Sequence, residues 1–208
     1  MGKVIGVCGF IGSGKGTVGD ILVEDYGFEK ISFADRLKDA AAELYGWPRH
    51  LLEGDTKESR EWREQPDPFW TEELGREITP RLVLQLMGTD CMRKGFDDNI
   101  WVLIVKQQIL QNPEVNWVIP DVRFFNERAV IRDLNGQVWR VDRGDPPEWI
   151  DKAISDNRYE TTWMTDYPEV HKSEWRWIDY DSEFNAVIKN DASLDELKAK
   201  VHSLIEGH

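Results

Sequence analysis

The residues whose types and spacing are best suited to chemistry are Gly9-Phe10-Ile11-Gly12-Ser13-Gly14-Lys15-Gly16-Thr17. Glycines so spaced let a backbone wrap closely around phosphate oxygens, and Lys15 adds a charge that can reach the β- and γ-phosphates. An apolar run, Val4-Ile5-Gly6-Val7-Cys8, precedes the stretch, and Val18-Gly19-Asp20-Ile21-Leu22-Val23 follows it. Strand, glycine loop and helix therefore come in the order of a P-loop. The helix contributes unpaired N–H groups and the positive end of its dipole. Polyphosphate binding by Gly12, Ser13, Gly14, Lys15, Gly16 and Thr17 follows.

A second group lies after the short apolar strand Trp117-Val118-Ile119-Pro120, where Asp121-Val122-Arg123-Phe124-Phe125-Asn126-Glu127 begins. In an open parallel sheet, ligands bind at the carboxyl ends of strands, which suits an Asp and an Arg at this point. Phosphoryl transfer is mostly positioning and neutralisation of charge on equatorial oxygens, so it calls for several cations around one phosphate. Arg123, with Arg93 and Lys94 from Gly88-Thr89-Asp90-Cys91-Met92-Arg93-Lys94, can supply them. Asp121 could hold the water shell of a Mg²⁺, orient Arg123, or cap the following helix. Glu127 could lock Arg123 in a bidentate pair or be a solvated helix charge. Ser32, Asp35, Arg36 and Lys38 sit at a strand-to-helix turn where an acceptor nucleotide could dock, the plain reading being a capped helix with a solvated face. His171 is unconvincing as a base, because phosphate acceptors are already anionic.

These groups need elements to carry them. The pattern predicts a helix over 14–26 stopped by Gly27, a strand over 29–33, and a helix over 34–45 with Phe33, Leu37, Ala41 and Leu44 on one face. Residues 48–80 read as an insertion of short helices and loop, with Trp62, Phe69 and Trp70 to bury. Helices over 80–91, starting at Pro80, and 100–110, largely buried, come next. The strand at 117–120 leads to a helix closed by Asn135-Gly136, and a strand over 137–143 follows. Residues 144–180 lack strand character and read as a lid, with Arg158 and Lys172 as its basic residues. Trp163, Trp175 and Trp177 could stack on a base there, or pack. A strand over 184–188, a turn at Asn190-Asp191 and a helix capped by Ser193 complete the chain. Alternating strands and helices imply an α/β fold, a parallel sheet with helices on both faces.

With 208 residues the chain suits one α/β domain spanning 1–208 with insertions. Its net charge of −13 argues against general nucleic-acid binding, whose affinity rests on Lys and Arg. The two cysteines, Cys8 and Cys91, are expected to be reduced, buried thiols of a cytoplasmic protein. No apolar run approaches the ~18 residues of a membrane helix, and Met1-Gly2-Lys3 is expected to lead straight into a strand rather than a signal peptide.

The Gly-Lys-Gly-Thr loop resembles that of adenylate kinase and related nucleoside monophosphate kinases. There Mg²⁺ is held mainly by ATP oxygens and water. Taken with Gly88 to Lys94, Asp121 to Glu127 and His171-Lys172-Ser173-Glu174, nearly the whole chain resembles the bacteriophage deoxynucleoside monophosphate kinases. The resemblance implies a three-layer P-loop NTPase fold with an NMP-binding insertion and a lid, moving the γ-phosphate of ATP onto a deoxynucleoside monophosphate. It implies Arg93 and Lys94 at the acceptor phosphate, Asp97 or Asp98 as a nearby acid, and Asp121, Arg123 and Glu127 as an Asp-x-Arg-x-x-x-Glu substrate motif. Lys15, Arg93, Asp121 and Arg123 are then the catalytic set, with Asp121 nearest the metal. It also suggests a homodimer and, for a phage-encoded chain, the host cytoplasm. The competing readings are a P-loop kinase of hydroxymethylated bases in DNA and a nucleotide-binding switch without catalysis.

Overall fold

The computed structural model describes residues 2–179 and 183–207; Tyr180, the far limit of the expected lid, lies outside them, as do Met1 and His208. The chain divides into two compact units, Met1–Ser32 with Val105–His208, and Phe33–Ile104.

The first unit is built on a sheet of five strands among the described residues, β1 (Val4–Gly9), β2 (Glu29–Lys30), β3 (Trp117–Ile119), β4 (Gln137–Asp142) and β5 (Ala186–Lys189). Their spatial order is β2-β3-β1-β4-β5 and every pairing is parallel, as the alternating pattern predicts. β1 is central, with Ile5 opposite Val118 of β3 and Gln137 of β4. All six of its residues are buried, which explains its unbroken apolar run.

Helices cover both faces. On one, α1 (Lys15–Tyr26) packs with α9 (Leu194–Glu206) over a core of Ile5, Val7, Val18, Leu22, Trp139, Val141, Leu197 and Val201. Burying each large apolar side chain there contributes roughly 1.5–3 kcal/mol. On the other face α7 (Phe125–Asp133) lies against β1 and β4. Gly6 permits that approach, since a Cβ on it would stand 2.3 Å from Ile131 Cδ1. The connection from β1 runs to one edge of the sheet and that from β3 crosses to the other side. The carboxyl ends of β1 and β3 therefore flank the topological switch point, where ligands of open α/β sheets bind.

After β4 come α8 (Ile150–Tyr159) and two 3₁₀ turns, Trp163–Asp166 and Lys172–Glu174. The buried Asp156 carboxylate organises this stretch, accepting from Thr161 Oγ1, Trp163 N and Met164 N at 2.6–2.8 Å. Arg128 of α7 is 2% exposed and reaches across to Trp177 O and Glu183 O, with its guanidinium over the Phe184 ring.

The second unit holds α2 (Asp35–Tyr45), α3 (Lys57–Glu64), α4 (Pro68–Leu74) and α5 (Pro80–Gln85), packed around Ala41, Trp47, Leu52, Ile78 and Val83. Thr56 and Asp67 cap α3 and α4, and Pro68 and Pro80 occupy first turns. Trp62 and Trp70 pack on this core, whereas Phe69 stays 60% exposed. Leu44, expected on the buried face of α2, points to solvent, and Lys38 is buried instead. The helix expected through Cys91 widens after Gln85 into a π-helix over Leu86–Arg93. Gly88 sits where a Cβ would meet Leu37 Cδ2 at 2.7 Å, and its carbonyl accepts from Trp101 Nε1 at 3.0 Å. This widening turns Cys91 outward, contrary to the expectation of two buried thiols. Cys8 is buried as expected, and burial pushes its thiol up to about 12. The boundary between the units falls inside α6 (Ile100–Gln111). Among the described residues no helix is long and apolar enough to cross a membrane.

Candidate active site

The loop between β1 and α1 is shaped by glycine. Gly12 and Gly14 take φ of 78° and 101°, a left-handed conformation that side-chain-bearing residues avoid. Gly14 has a second constraint, because a Cβ there would stand 2.3 Å from Asn190 Nδ2. Asn190, just beyond β5, donates from that nitrogen to Ser13 O at 2.8 Å and so braces the loop from outside. The N-terminus of α1 has no side-chain cap and no acidic residue in its first turn. Its N–H groups and dipole are thus left for an anion, which is the phosphate-binding arrangement.

Lys15 folds across this loop and donates from Nζ to Phe10 O at 3.0 Å. Burial lowers its pKa, the neighbouring Arg123 lowers it further, and Glu174 and Asp121 pull it partly back. Asp121 Oδ2 accepts from Ser32 Oγ at 2.5 Å, and the next residue, Val122, donates its N–H to Val7 O of β1 at 3.3 Å. Asp121 is not a helix cap: α7 begins later, with Phe124 at the cap position.

Glu127 behaves differently from the expected lock on Arg123. Its carboxylate accepts from the backbone N–H groups of Arg123 and Phe124, at 2.6 and 3.1 Å, and so fixes the entry to α7. The Arg123 guanidinium turns instead to Glu174 Oε1 at 2.9 Å and Ser173 Oγ at 3.4 Å. This replaces the expected Arg123–Glu127 side-chain pair, because a buried carboxylate three residues into a helix satisfies the orphan amides before it more directly.

The segment after β4 meets the loop through aromatic rings. Phe10 lies edge-on to Trp177 at 5.0 Å and to Trp149 at 5.7 Å. Trp175 and Trp177 are buried and serve packing, while Trp163 is 54% exposed. Of the expected lid cations, Arg158 pairs with Asp179 at 2.5 Å and lies 3.5 Å from Glu183, whereas Lys172 is exposed. His171 is structural, its Nδ1 accepting from Ser173 N at 3.2 Å.

Asp35, Arg36, Lys38, Arg93, Lys94 and Asp97 belong to the second unit. Arg49 gathers the first of these into an ion-pair network, contacting Asp35 at 3.4 Å, Asp39 at 2.6 Å and Glu53. Lys38 reaches Glu53 at 2.5 Å, and Arg36 reaches Asp39 at 3.3 Å. Burial raises the Glu53 carboxyl, and the hydrogen bonds and charges of Lys38 and Arg49 outweigh it, so its pKa falls. Arg93 lies 4.0 Å from Asp98, Lys94 pairs with Asp90 at 2.6 Å, and Asp97 accepts from Asn99 N at 2.7 Å. Sequence reasoning missed Glu174, Asn190 and Arg49. Asn190 had a signal in the turn after the last strand; the other two meet their partners only through the fold.

Among the described residues no cluster of three or more His, Cys, Asp or Glu could hold a metal. Asp121, at the end of β3 with its Oδ2 on Ser32 Oγ at 2.5 Å, is a single carboxylate that suits a cation held through water and nucleotide oxygens rather than in a protein cage.

No family model matches the chain. Over 151 residues it is 36% identical to a protein of Acanthamoeba polyphaga mimivirus assigned as a deoxynucleotide monophosphate kinase, covering 67% of this chain and 74% of that one. Over 58 residues it is 41% identical to the deoxynucleoside-5′-monophosphate kinase of Escherichia phage T5, a match spanning 28% of this chain and 23% of the phage protein. An uncharacterized protein from Eubacterium ventriosum overlays all of the chain and all of its own length with a TM-score of 0.50 at 10% identity, a likeness of fold alone. The phosphate loop on β1 is what such an enzyme requires, and with identity of this level running through 74% of the mimivirus protein, the chain belongs to the deoxynucleotide monophosphate kinase family.

Proposed function

We propose that this kinase transfers the γ-phosphate of ATP to a deoxynucleoside 5′-monophosphate, giving the diphosphate, and supplies nucleotide for phage DNA replication in the host cytoplasm. The reading is of a single kinase domain over 1–208 that works as a homodimer, in which 48–80 form the acceptor-side insertion and 144–180 the lid. The observation that carries it is the glycine loop at the end of β1, with Lys15 Nζ folded onto Phe10 O, beside the 121–123 stretch after β3, which Val122 N–H ties to Val7 O of β1.

In this reading Gly12 to Thr17 cradle the β- and γ-phosphates through backbone N–H groups, and Lys15 follows the charge as it moves to the bridging oxygen. Arg123 spans the acceptor phosphate. Arg93 and Lys94 add charge on the acceptor side, with Asp98 and Asp90 as their carboxylate neighbours and Asp97 as a nearby acid, and Asp35, Arg36 and Lys38 contribute through the network that Arg49 ties together. Glu127 serves the acceptor by holding the backbone of Arg123. Arg158 and Lys172 are the lid cations, Arg158 being paired with Asp179 and Lys172 exposed. Mg²⁺, when bound through water at Asp121, neutralises the phosphate oxygens. The acceptor oxygen is already anionic, so no general base is needed.

Arg123→Lys tests the assignment. An ammonium lacks the planar fork that grips two phosphate oxygens. The variant should keep the parent melting temperature, raise KM for the dNMP and lower kcat, a combined loss of roughly 2–4 kcal/mol in kcat/KM. A kinetically silent Arg123→Lys removes Arg123 from the acceptor site.

A further inference from the structure

One carboxylate lies among cations that a phosphate needs. Arg123 Nη1 donates to Glu174 Oε1 at 2.9 Å and to Ser173 Oγ at 3.4 Å, with the two charged side chains 39% and 24% exposed. Lys15 senses the same carboxylate, which offsets part of the push it receives from Arg123. Two cations gathered for phosphate repel each other until an anion arrives, and the cost grows as water is excluded.

Glu174 is not on a loose chain. It ends the 3₁₀ turn Lys172–Glu174, capped by His171 through Ser173 N at 3.2 Å. Its carbonyl accepts from Trp177 Nε1 at 2.9 Å, and the buried Trp177 ring meets Phe10 of the phosphate loop edge-on at 5.0 Å. The carboxylate is thus presented by a turn that is itself docked on the loop. We infer that Glu174 is a positioning residue and placeholder anion: it holds the Arg123 guanidinium in place in the nucleotide-free enzyme, and phosphate oxygens displace it on binding. The exchange trades one charge-assisted pair for another, and no covalent bond changes. The inference rests on the phosphotransfer reading above.

The test is calorimetric titration of inorganic tripolyphosphate into the full-length protein and its Glu174→Gln and Glu174→Asp variants, with dNMP kinetics alongside. If Glu174 occupies Arg123 most of the time, removing its charge should tighten tripolyphosphate binding on the order of 10-fold, since apparent affinity scales with the competent fraction. KM for the dNMP and kcat should fall together, the second because Arg123 loses its orientation; a merely structural glutamate would move neither in that pattern. Glu174→Asp should lie between the two, and it decides the matter if Glu174→Gln does not fold. Equal or weaker tripolyphosphate binding by folded variants overturns the placeholder and leaves phosphotransfer standing. Tightened binding with no transfer to any dNMP keeps the placeholder and removes the acceptor. Failure of the parent protein to bind tripolyphosphate overturns both.

Discussion

Lys15, the lysine proposed to act on the transferred phosphate, also carries a measurable proton. Its folded-state pKa is lowered from 10.5, first by burial and then by Arg123. Between that lowered value and 10.5 the unfolded chain binds the extra proton, so this residue's contribution to stability rises with pH across that window. A bound polyphosphate favours the charged form and restores the pKa. Nucleotide binding should therefore take up a proton on the alkaline side, and affinity should fall as pH rises through the free enzyme's value. Titrations in buffers of different ionisation enthalpy check this, and binding without proton uptake contradicts it. The loop around Lys15 was legible in sequence because its logic is local, a run of nine residues whose glycines and lysine define the site. The partner of Arg123 was not. Glu174 is 51 residues away, and only the docking of a 3₁₀ turn on the loop brings it near, whereas Glu127, four residues away, is taken up by backbone amides.

Among the elements, the strands and α1 followed from apolar runs bounded by glycine, and the parallel sheet followed from their alternation. Less was legible where side chains compete with periodicity. The π-helix over Leu86–Arg93 arises from the Gly88 contact and the Trp101 hydrogen bond, which no spacing rule reveals. The stretch after α8 depends in the same way on one carboxylate. Burial alone would raise the Asp156 pKa, but hydrogen bonds from Thr161, Met164 and Trp163 outweigh it and the value falls below 3.8. Its stabilisation is therefore present above the unfolded carboxyl value and is lost as pH falls through the lowered one. Asp156→Asn should cost about 1–3 kcal/mol near neutrality, the cost of weakening buried hydrogen bonds to a charge. Urea melts should show the gap between parent and variant closing below 3.8. A gap that persists unchanged in acid would assign the loss to shape rather than charge.

For the whole molecule, the charge balance and the site pull in opposite directions. A net charge of −13 repels polyanions, yet the proposed phosphate site of the first unit relies on Lys15 and Arg123. A small anionic acceptor that enters a local basic site reconciles the two, whereas a DNA strand would have to neutralise phosphates along an acidic surface. The most direct measurement follows the phosphate itself: ATP labelled at the γ-position, offered to the protein with a panel of dNMPs and a duplex carrying hydroxymethylated bases. Label is expected in deoxynucleoside diphosphate, with the rate lowered at least ~100-fold by Lys15→Ala, the scale of losing one transition-state charge donor. Label on the duplex, or label released only as free phosphate while every dNMP stays unmodified, would contradict the proposed transfer.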